Sequence, residues 1–278
     1  MKILVTGVNG QLGFDVIKEC AKRNIQHKGV DINDFDITNQ SAVAEAINSY
    51  NPTVVIHCAA YTAVDKAEDE SELCNKINVD GTRNIALACK QIGAKMLYIS
   101  TDYVFPGDGE HFYHPDDETT PISIYGKSKL GGEKVVQEIL ENYFIVRISW
   151  VFGENGNNFV KTMLRLGKER DSLHVVCDQI GSPTYTADLA PLLCDMALTD
   201  KYGIYHATNE GTCSWAEFAK EIFSQANLSV IVNPVPTSEY PTKATRPLNS
   251  RLDKSCLVEA DFTPLPHWTD ALSRYLRT

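Results

Sequence analysis

The run Lys2-Ile3-Leu4-Val5-Thr6-Gly7-Val8-Asn9-Gly10-Gln11-Leu12-Gly13 decides the fold of this chain. Lys2 to Thr6 is a short, largely apolar and β-branched segment of the kind that forms a strand. From residue 12 to residue 23, Leu12, Val16, Ile17 and Cys20 recur at helical spacing. Between them lie three glycines spaced G-x-x-G-x-x-G. Three glycines alone are a weak signal, but a strand before them and a helix after them give the motif meaning. Gly7 permits the tight turn, and Gly10 leaves no side chain between the backbone and a pyrophosphate. Gly13 lets helix and strand pack closely, and phosphates meet the helix N-terminus. Gln11 and Leu12 complete the turn.

The rest of the first half repeats this unit. A weak strand at residues 25–30 ends at Asp31, where an acid can bind the adenosine ribose hydroxyls of a dinucleotide. An acid there repels the extra phosphate of NADPH and leans toward NADH; Asp31 also reads as a solvated turn residue. A helix at 39–50 precedes Val54-Val55-Ile56-His57-Cys58, an apolar run typical of a strand covered on both faces. A helix at 71–92, a strand at 96–100, a loop rich in Pro, Gly and Asp at 106–121, a helix from 125 and a strand at 144–148 follow. Alternation of this kind predicts a Rossmann-type, doubly wound α/β fold with a parallel sheet and right-handed crossovers. The second half is less regular. Helices are expected near 158–169, 186–198, 214–226 and 269–276, with strands at 174–177, 204–207 and 230–235. Six prolines between 234 and 266 mark loop-rich terrain. We expect a dinucleotide-binding domain over 1–152 and a smaller α/β substrate lobe over 153–278, interleaved with the last sheet strands. Its loops would face the carboxyl ends of the parallel strands, where ligands bind in such sheets.

Composition narrows the function. A hydrophobic share of 43% and a charged share of 22% over 278 residues suit a soluble globular protein. Lys+Arg 26 against Asp+Glu 36 gives a net charge of −10 without a basic stripe, which argues against nucleic acid as the main partner. The N-terminal apolar run is too short for a signal peptide, and no apolar run approaches a membrane span. The eight cysteines show no metal-ligand spacing, so no metal ligand is assigned. Cys58, Cys177 and Cys194 lie in apolar segments, as small buried hydrophobes do. A reducing cytoplasm is the expected compartment.

The candidate chemistry lies in Tyr125-Gly126-Lys127-Ser128-Lys129, with Ser100-Thr101-Asp102 upstream. On a helix, Tyr125 and Lys129 stand i and i+4 on one face. A phenol titrates near pH 10, and an ammonium one turn away favours the phenolate. The expected result is a tuned general acid/base, with Thr101 as a donor to the same oxygen. The Y-x-x-x-K spacing also occurs by chance in many helices, so it carries weight only with its neighbours.

Taken with those neighbours, the chain resembles the extended short-chain dehydrogenase/reductases. More closely, it resembles the dTDP-4-dehydrorhamnose reductase family. The resemblance runs in order through Val5 to Gly13, through Ala59-Ala60-Tyr61-Thr62-Ala63-Val64-Asp65, and through Ser100-Thr101-Asp102-Tyr103-Val104-Phe105. It continues through Tyr125 to Glu133, through Arg147-Ile148-Ser149-Trp150-Val151-Phe152-Gly153 and through Arg246-Pro247-Leu248-Asn249-Ser250-Arg251-Leu252. It implies that Gly10, Gln11 and Leu12 line the pyrophosphate and that Asp36 and Ile37 lie beside the adenine. Ala60, Tyr61 and Thr62 would lie beside the phosphates and the nicotinamide. Tyr125 would donate the proton. Lys129 would hold the nicotinamide ribose and lower the tyrosine pKa, and Thr101 would hydrogen-bond the substrate carbonyl. Asp102 and Trp150 would contact the sugar, and Arg246 the nucleotide portion. Trp150 also reads as plain core, and Arg246 as a solvated loop cation.

The implied reaction is NADH- or NADPH-dependent reduction of the C4 ketone of dTDP-4-dehydro-6-deoxy-L-mannose to dTDP-L-rhamnose, in cell-surface polysaccharide biosynthesis. Related 4,6-dehydratases carry a glutamate after the Thr-Asp pair, whereas Tyr103 stands here and offers no carboxylate; this favours ketone reduction over elimination. Alternatives are another nucleotide-sugar 4-reductase or epimerase on the same scaffold, or a non-catalytic regulatory relative. Some relatives form a homodimer with Mg²⁺ at the contact, which no acidic cluster in the sequence identifies.

Overall fold

A computed structural model describes residues 1–278. Six parallel strands form the central sheet. In spatial order they run Gly203–His206, β5 (Tyr143–Ile148), β4 (Lys95–Thr101), β3 (Val54–His57), β1 (Lys2–Thr6) and β2 (Gln26–Val30). The chain leaves β1 for β2 on one side and returns to β3 on the other. That reversal opens a crevice at the carboxyl ends of β1 and β3, the expected ligand position in such a sheet.

Alternate residues of each strand feed two cores, because successive side chains point to opposite faces. Ile3, Val5, Val54 and Ile56 pack on one face with helix α1 (Gln11–Lys22) and the helix Thr186–Ala197. Leu4 and Val55 pack on the other with α2 (Gln40–Tyr50) and the helices Thr82–Ile92 and Ile124–Ile139. A third core, with Phe152, Phe218, Phe223 and Trp268, belongs to the second half of the chain. Fully burying one such aliphatic or aromatic side chain contributes about 1.5–3 kcal/mol. Residues beyond 152 thus build both this third core and part of the sheet, through Gly203–His206.

One expected helix differs in form. The segment expected at 71–92 is α-helical at Ser71–Asn75 and Thr82–Ile92, but Lys76–Gly81 between them forms a wider π-helical turn. Asn78 supplies the reason. Its side chain accepts from the Tyr61 N–H at 2.8 Å and donates to Tyr61 O at 3.1 Å and Ser128 Oγ at 2.8 Å. Those tertiary hydrogen bonds hold an extra residue in the turn, as wide turns beside functional sites commonly do. Periodicity in the sequence carries no trace of them.

Candidate active site

A cleft of about 740 Å³ opens along the carboxyl ends of the strands. Of the residues singled out from sequence, Gly7, Gly10, Gln11, Leu12, Gly13, Asp31, Asp36, Ile37, Ala60, Thr62, Thr101, Asp102, Tyr125, Lys129 and Trp150 all line it. Two do not. Tyr61 turns its hydroxyl to Glu70 Oε2 at 2.6 Å, and its backbone is held by Asn78. Arg246 pairs with Asp65 at 2.5 Å and donates to the Tyr103 hydroxyl at 3.1 Å.

The glycine turn is built by close approach. Gly7 adopts φ +71°, and a Cβ on it would lie 2.7 Å from the Ala59 nitrogen. A Cβ on Gly13 would lie 2.3 Å from Gly7 O, so α1 can start here only without a side chain. Gly10 caps α1 and offers no side-chain acceptor. The first-turn N–H groups therefore keep their capacity for an outside anion. From the second half of the chain, Asn155 Nδ2 donates to Asn9 O at 2.7 Å and Asn158 Nδ2 to Gln11 Oε1 at 3.0 Å. At the end of β2, the Asp31 carboxylate accepts from the backbone N–H groups of Asn9 at 2.9 Å and Ile32 at 2.8 Å. The residues present fit a dinucleotide: a side-chain-free cradle, an uncapped helix start and an acid at the strand tip.

The opposite wall carries the titratable groups. Ser123 caps the helix Ile124–Ile139, its Oγ accepting from the Gly126 N–H at 3.1 Å. That start places Tyr125 and Lys129 on the cleft side. Lys129 is buried, with Nζ 4.0 Å from the Tyr98 ring centroid. Burial pushes its ammonium down to about 7, against the opposing pull of Glu133. The expected lowering of the tyrosine does not appear. Burial raises the Tyr125 phenol above its ordinary value, the Asp102 carboxylate adds to the rise, and the neighbouring Thr101 hydroxyl only partly offsets it. Loss of water around a phenolate outweighs a lysine that has itself lost much of its charge. Tyr125 is accordingly a firmly protonated phenol.

Thr101 and Asp102 form a unit that sequence reasoning did not find. Thr101 Oγ1 donates to Asp102 Oδ1 at 2.9 Å and accepts from the Tyr103 N–H at 3.2 Å. Ser250 Oγ donates to Asp102 Oδ2 at 2.5 Å. Both carboxylate oxygens of Asp102 are thus engaged by hydroxyls, and burial raises its pKa to about 6 despite those bonds. The single Thr101 proton points at Asp102 rather than into the cleft. Ser250 lies in the segment Arg246 to Leu252, but nothing in its local spacing marks it. Behind this wall, Glu133 and Arg147 make a buried bidentate pair at 2.9 and 2.7 Å, with Ser100 Oγ donating to Glu133 at 2.5 Å.

Known proteins resemble this chain along its whole length. The family model described as "RmlD substrate binding domain" matches residues 1–278. A dTDP-4-dehydrorhamnose reductase from Aggregatibacter actinomycetemcomitans is 42% identical, across 98% of this chain and 97% of the relative. The spore coat polysaccharide biosynthesis protein SpsK of Bacillus subtilis (strain 168) is 41% identical, across 99% and 97%. The crystal structure of dTDP-4-dehydrorhamnose reductase (rfbD) from Bacillus anthracis str. Ames in complex with NADP superposes with a TM-score of 0.97. It is 48% identical and covers 100% of this chain and 99% of that one. The chain belongs to the RmlD substrate-binding family, alongside the dTDP-4-dehydrorhamnose reductases.

Proposed function

We propose that this protein is an NAD(P)H-dependent oxidoreductase. It reduces the C4 ketone of dTDP-4-dehydro-6-deoxy-L-mannose and releases dTDP-L-rhamnose for cell-surface polysaccharide. The observation that carries the reading is the convergence of Thr101, Tyr125 and Lys129 on the cleft that the Gly7–Gly13 turn floors. When bound, the nicotinamide dinucleotide supplies the hydride. Gly7, Gly10, Gln11, Leu12 and Gly13 would hold its pyrophosphate, Asp31, Asp36 and Ile37 its adenosine half, and Ala60, Thr62 and Lys129 its nicotinamide half. Tyr125 holds its proton on Oη until negative charge develops on the sugar oxygen, then gives it up. A raised phenol pKa keeps that proton in place at neutral pH, and the still more basic sugar alkoxide takes it as charge develops. Thr101 and Asp102, joined by their hydrogen bond, face the sugar beside Tyr125, and Trp150 contacts it. Residues 153–278 supply the substrate lobe. In the relevant solution, the cytoplasm, the partner is a free dTDP-sugar; no helix of the structure is long and apolar enough to cross a membrane.

Asp31 favours NADH, since its carboxylate is met by two backbone N–H groups but no side-chain cation. NADP in the Bacillus anthracis relative makes NADPH the counter-case. The deciding experiment follows oxidation of NADH and of NADPH with dTDP-4-keto-L-rhamnose, with the dTDP-glucose-derived 4-keto sugar as control. No oxidation of either dinucleotide with the L-sugar refutes the assignment, and faster NADPH oxidation refutes the role given to Asp31. Repeating the assay with EDTA, and sedimenting the protein, reads the Mg²⁺ and the homodimer.

A further inference from the structure

Trp150 is the one non-glycine residue lining the cleft with a left-handed backbone, at φ +49°. Large side chains rarely adopt that region, and they stay there only where the surroundings over-determine it. Three sets of contacts do so. The Thr184 N–H donates to Trp150 O at 3.2 Å, Thr184 Oγ1 donates to Ser149 O at 2.6 Å, and Ser149 Oγ donates to Ser182 O at 2.7 Å. The indole stacks on Trp215 with centroids 3.7 Å apart and planes inclined by 14°. Gly181 lies against the same ring, where a Cβ would come within 2.9 Å of Trp150 Cε2.

Trp215 is anchored in its turn. Its Nε1 donates to Gln179 Oε1 at 3.1 Å, and Gln179 Nε2 donates to Thr237 Oγ1 at 3.1 Å. Phe159 packs on it with centroids 4.6 Å apart. A reciprocal capping box between Ser214 and Glu217 fixes the start of its helix, Trp215–Gln225. Trp215 does not line the cleft. We infer that Trp215 is a positioning residue for the sugar-binding wall: it holds the Trp150 indole in one plane, and Gly181 keeps space for it there. Rigid support of this kind is what fixes a binding side chain that its own backbone would not hold. The inference rests on the reading of Trp150 as a sugar contact.

The test is steady-state kinetics with the nucleotide-sugar and the dinucleotide varied separately, together with far-ultraviolet circular dichroism of the free enzyme. W215L should raise the KM for the sugar by about three- to tenfold, the range of one aromatic pair, and move the dinucleotide KM by less than about twofold. W215F keeps a stacking ring and should stay near wild type. G181A presses on the indole and equally on Ser250 Cβ, both at 2.9 Å, so it should raise the sugar KM at least as much as W215L. Stacked indoles should give an exciton couplet in wild type that both W215L and W215F abolish. In a W150A background, which has no ring to position, W215L should add no further change. A wild type without the couplet, a W215L with unchanged sugar KM, or equal rises in both KM values overturns the positioning role. If W150A itself leaves the sugar KM unchanged, the sugar contact falls as well; if W150A raises it and W215L does not, only the positioning role falls.

Discussion

Asp102→Asn should change the pH dependence of stability in a calculable way. The Asp102 carboxyl is 3% exposed, and burial lifts its pKa from 3.8 to about 6. The folded state therefore holds this proton more tightly than the unfolded state does. The sign follows: the stabilising contribution is complete below pH 3.8 and is lost as pH rises through about 6. A shift of roughly two units at about 1.4 kcal/mol each makes the full loss about 3 kcal/mol. Asparagine keeps the size and one acceptor but has no proton to lose. Urea unfolding of both proteins at a series of pH values between about 4 and 7.5 gives the difference in ΔG at each. That difference should move in favour of the variant by about 2–3 kcal/mol across the window, since part of the loss already occurs below pH 4. Taking the difference cancels the carboxylates common to both proteins. A difference that stays level within about 0.5 kcal/mol, or moves the other way, refutes the assignment of a raised carboxyl to this site.

Tyr125→Phe removes the proton but little else, since the ring packs edge-on against Tyr103 with centroids 5.5 Å apart. Turnover should fall by about 10²–10⁴-fold while dinucleotide affinity by fluorescence titration stays near wild type; a near-native rate sinks the proton-donor role. Glu133→Ala leaves the Arg147 guanidinium buried with the Pro115 carbonyl, at 2.9 Å, as its one hydrogen-bond acceptor and the Phe105 ring 5.0 Å away. Urea unfolding should show a loss of about 3–5 kcal/mol, and a cost under roughly 1 kcal/mol would mean that water reaches the pair.

The fold class and the glycine turn were legible because both depend on short-range rules. A strand buried on both faces needs an apolar run, and a turn in which a Cβ on Gly13 would lie 2.3 Å from Gly7 O admits only glycine there. The spacing of Tyr125 and Lys129 was legible for the same reason, since one helical turn sets it. The Ser100-Thr101-Asp102 stretch was singled out with the Tyr125/Lys129 pair, and family resemblance added the sugar-contact roles of Asp102 and Trp150, which no local periodicity marks.

Tertiary structure alone decided how those groups behave. Whether Tyr125 titrates low or high depends on how much water the cleft leaves it and on Asp102, and the answer reversed the expectation drawn from Lys129. Ser250 meets Asp102 across 148 positions of chain, and Asn78 meets Tyr61 across 17, distances over which sequence pattern carries no information about contact. By sequence Arg246 reads as a contact to the nucleotide or as a loop cation, and only the packed loops join it to Asp65 and Tyr103. Local backbone preference is written residue by residue along the chain. Solvent exclusion and charge proximity exist only once distant segments have packed together, and they set the proton affinities on which the chemistry rests.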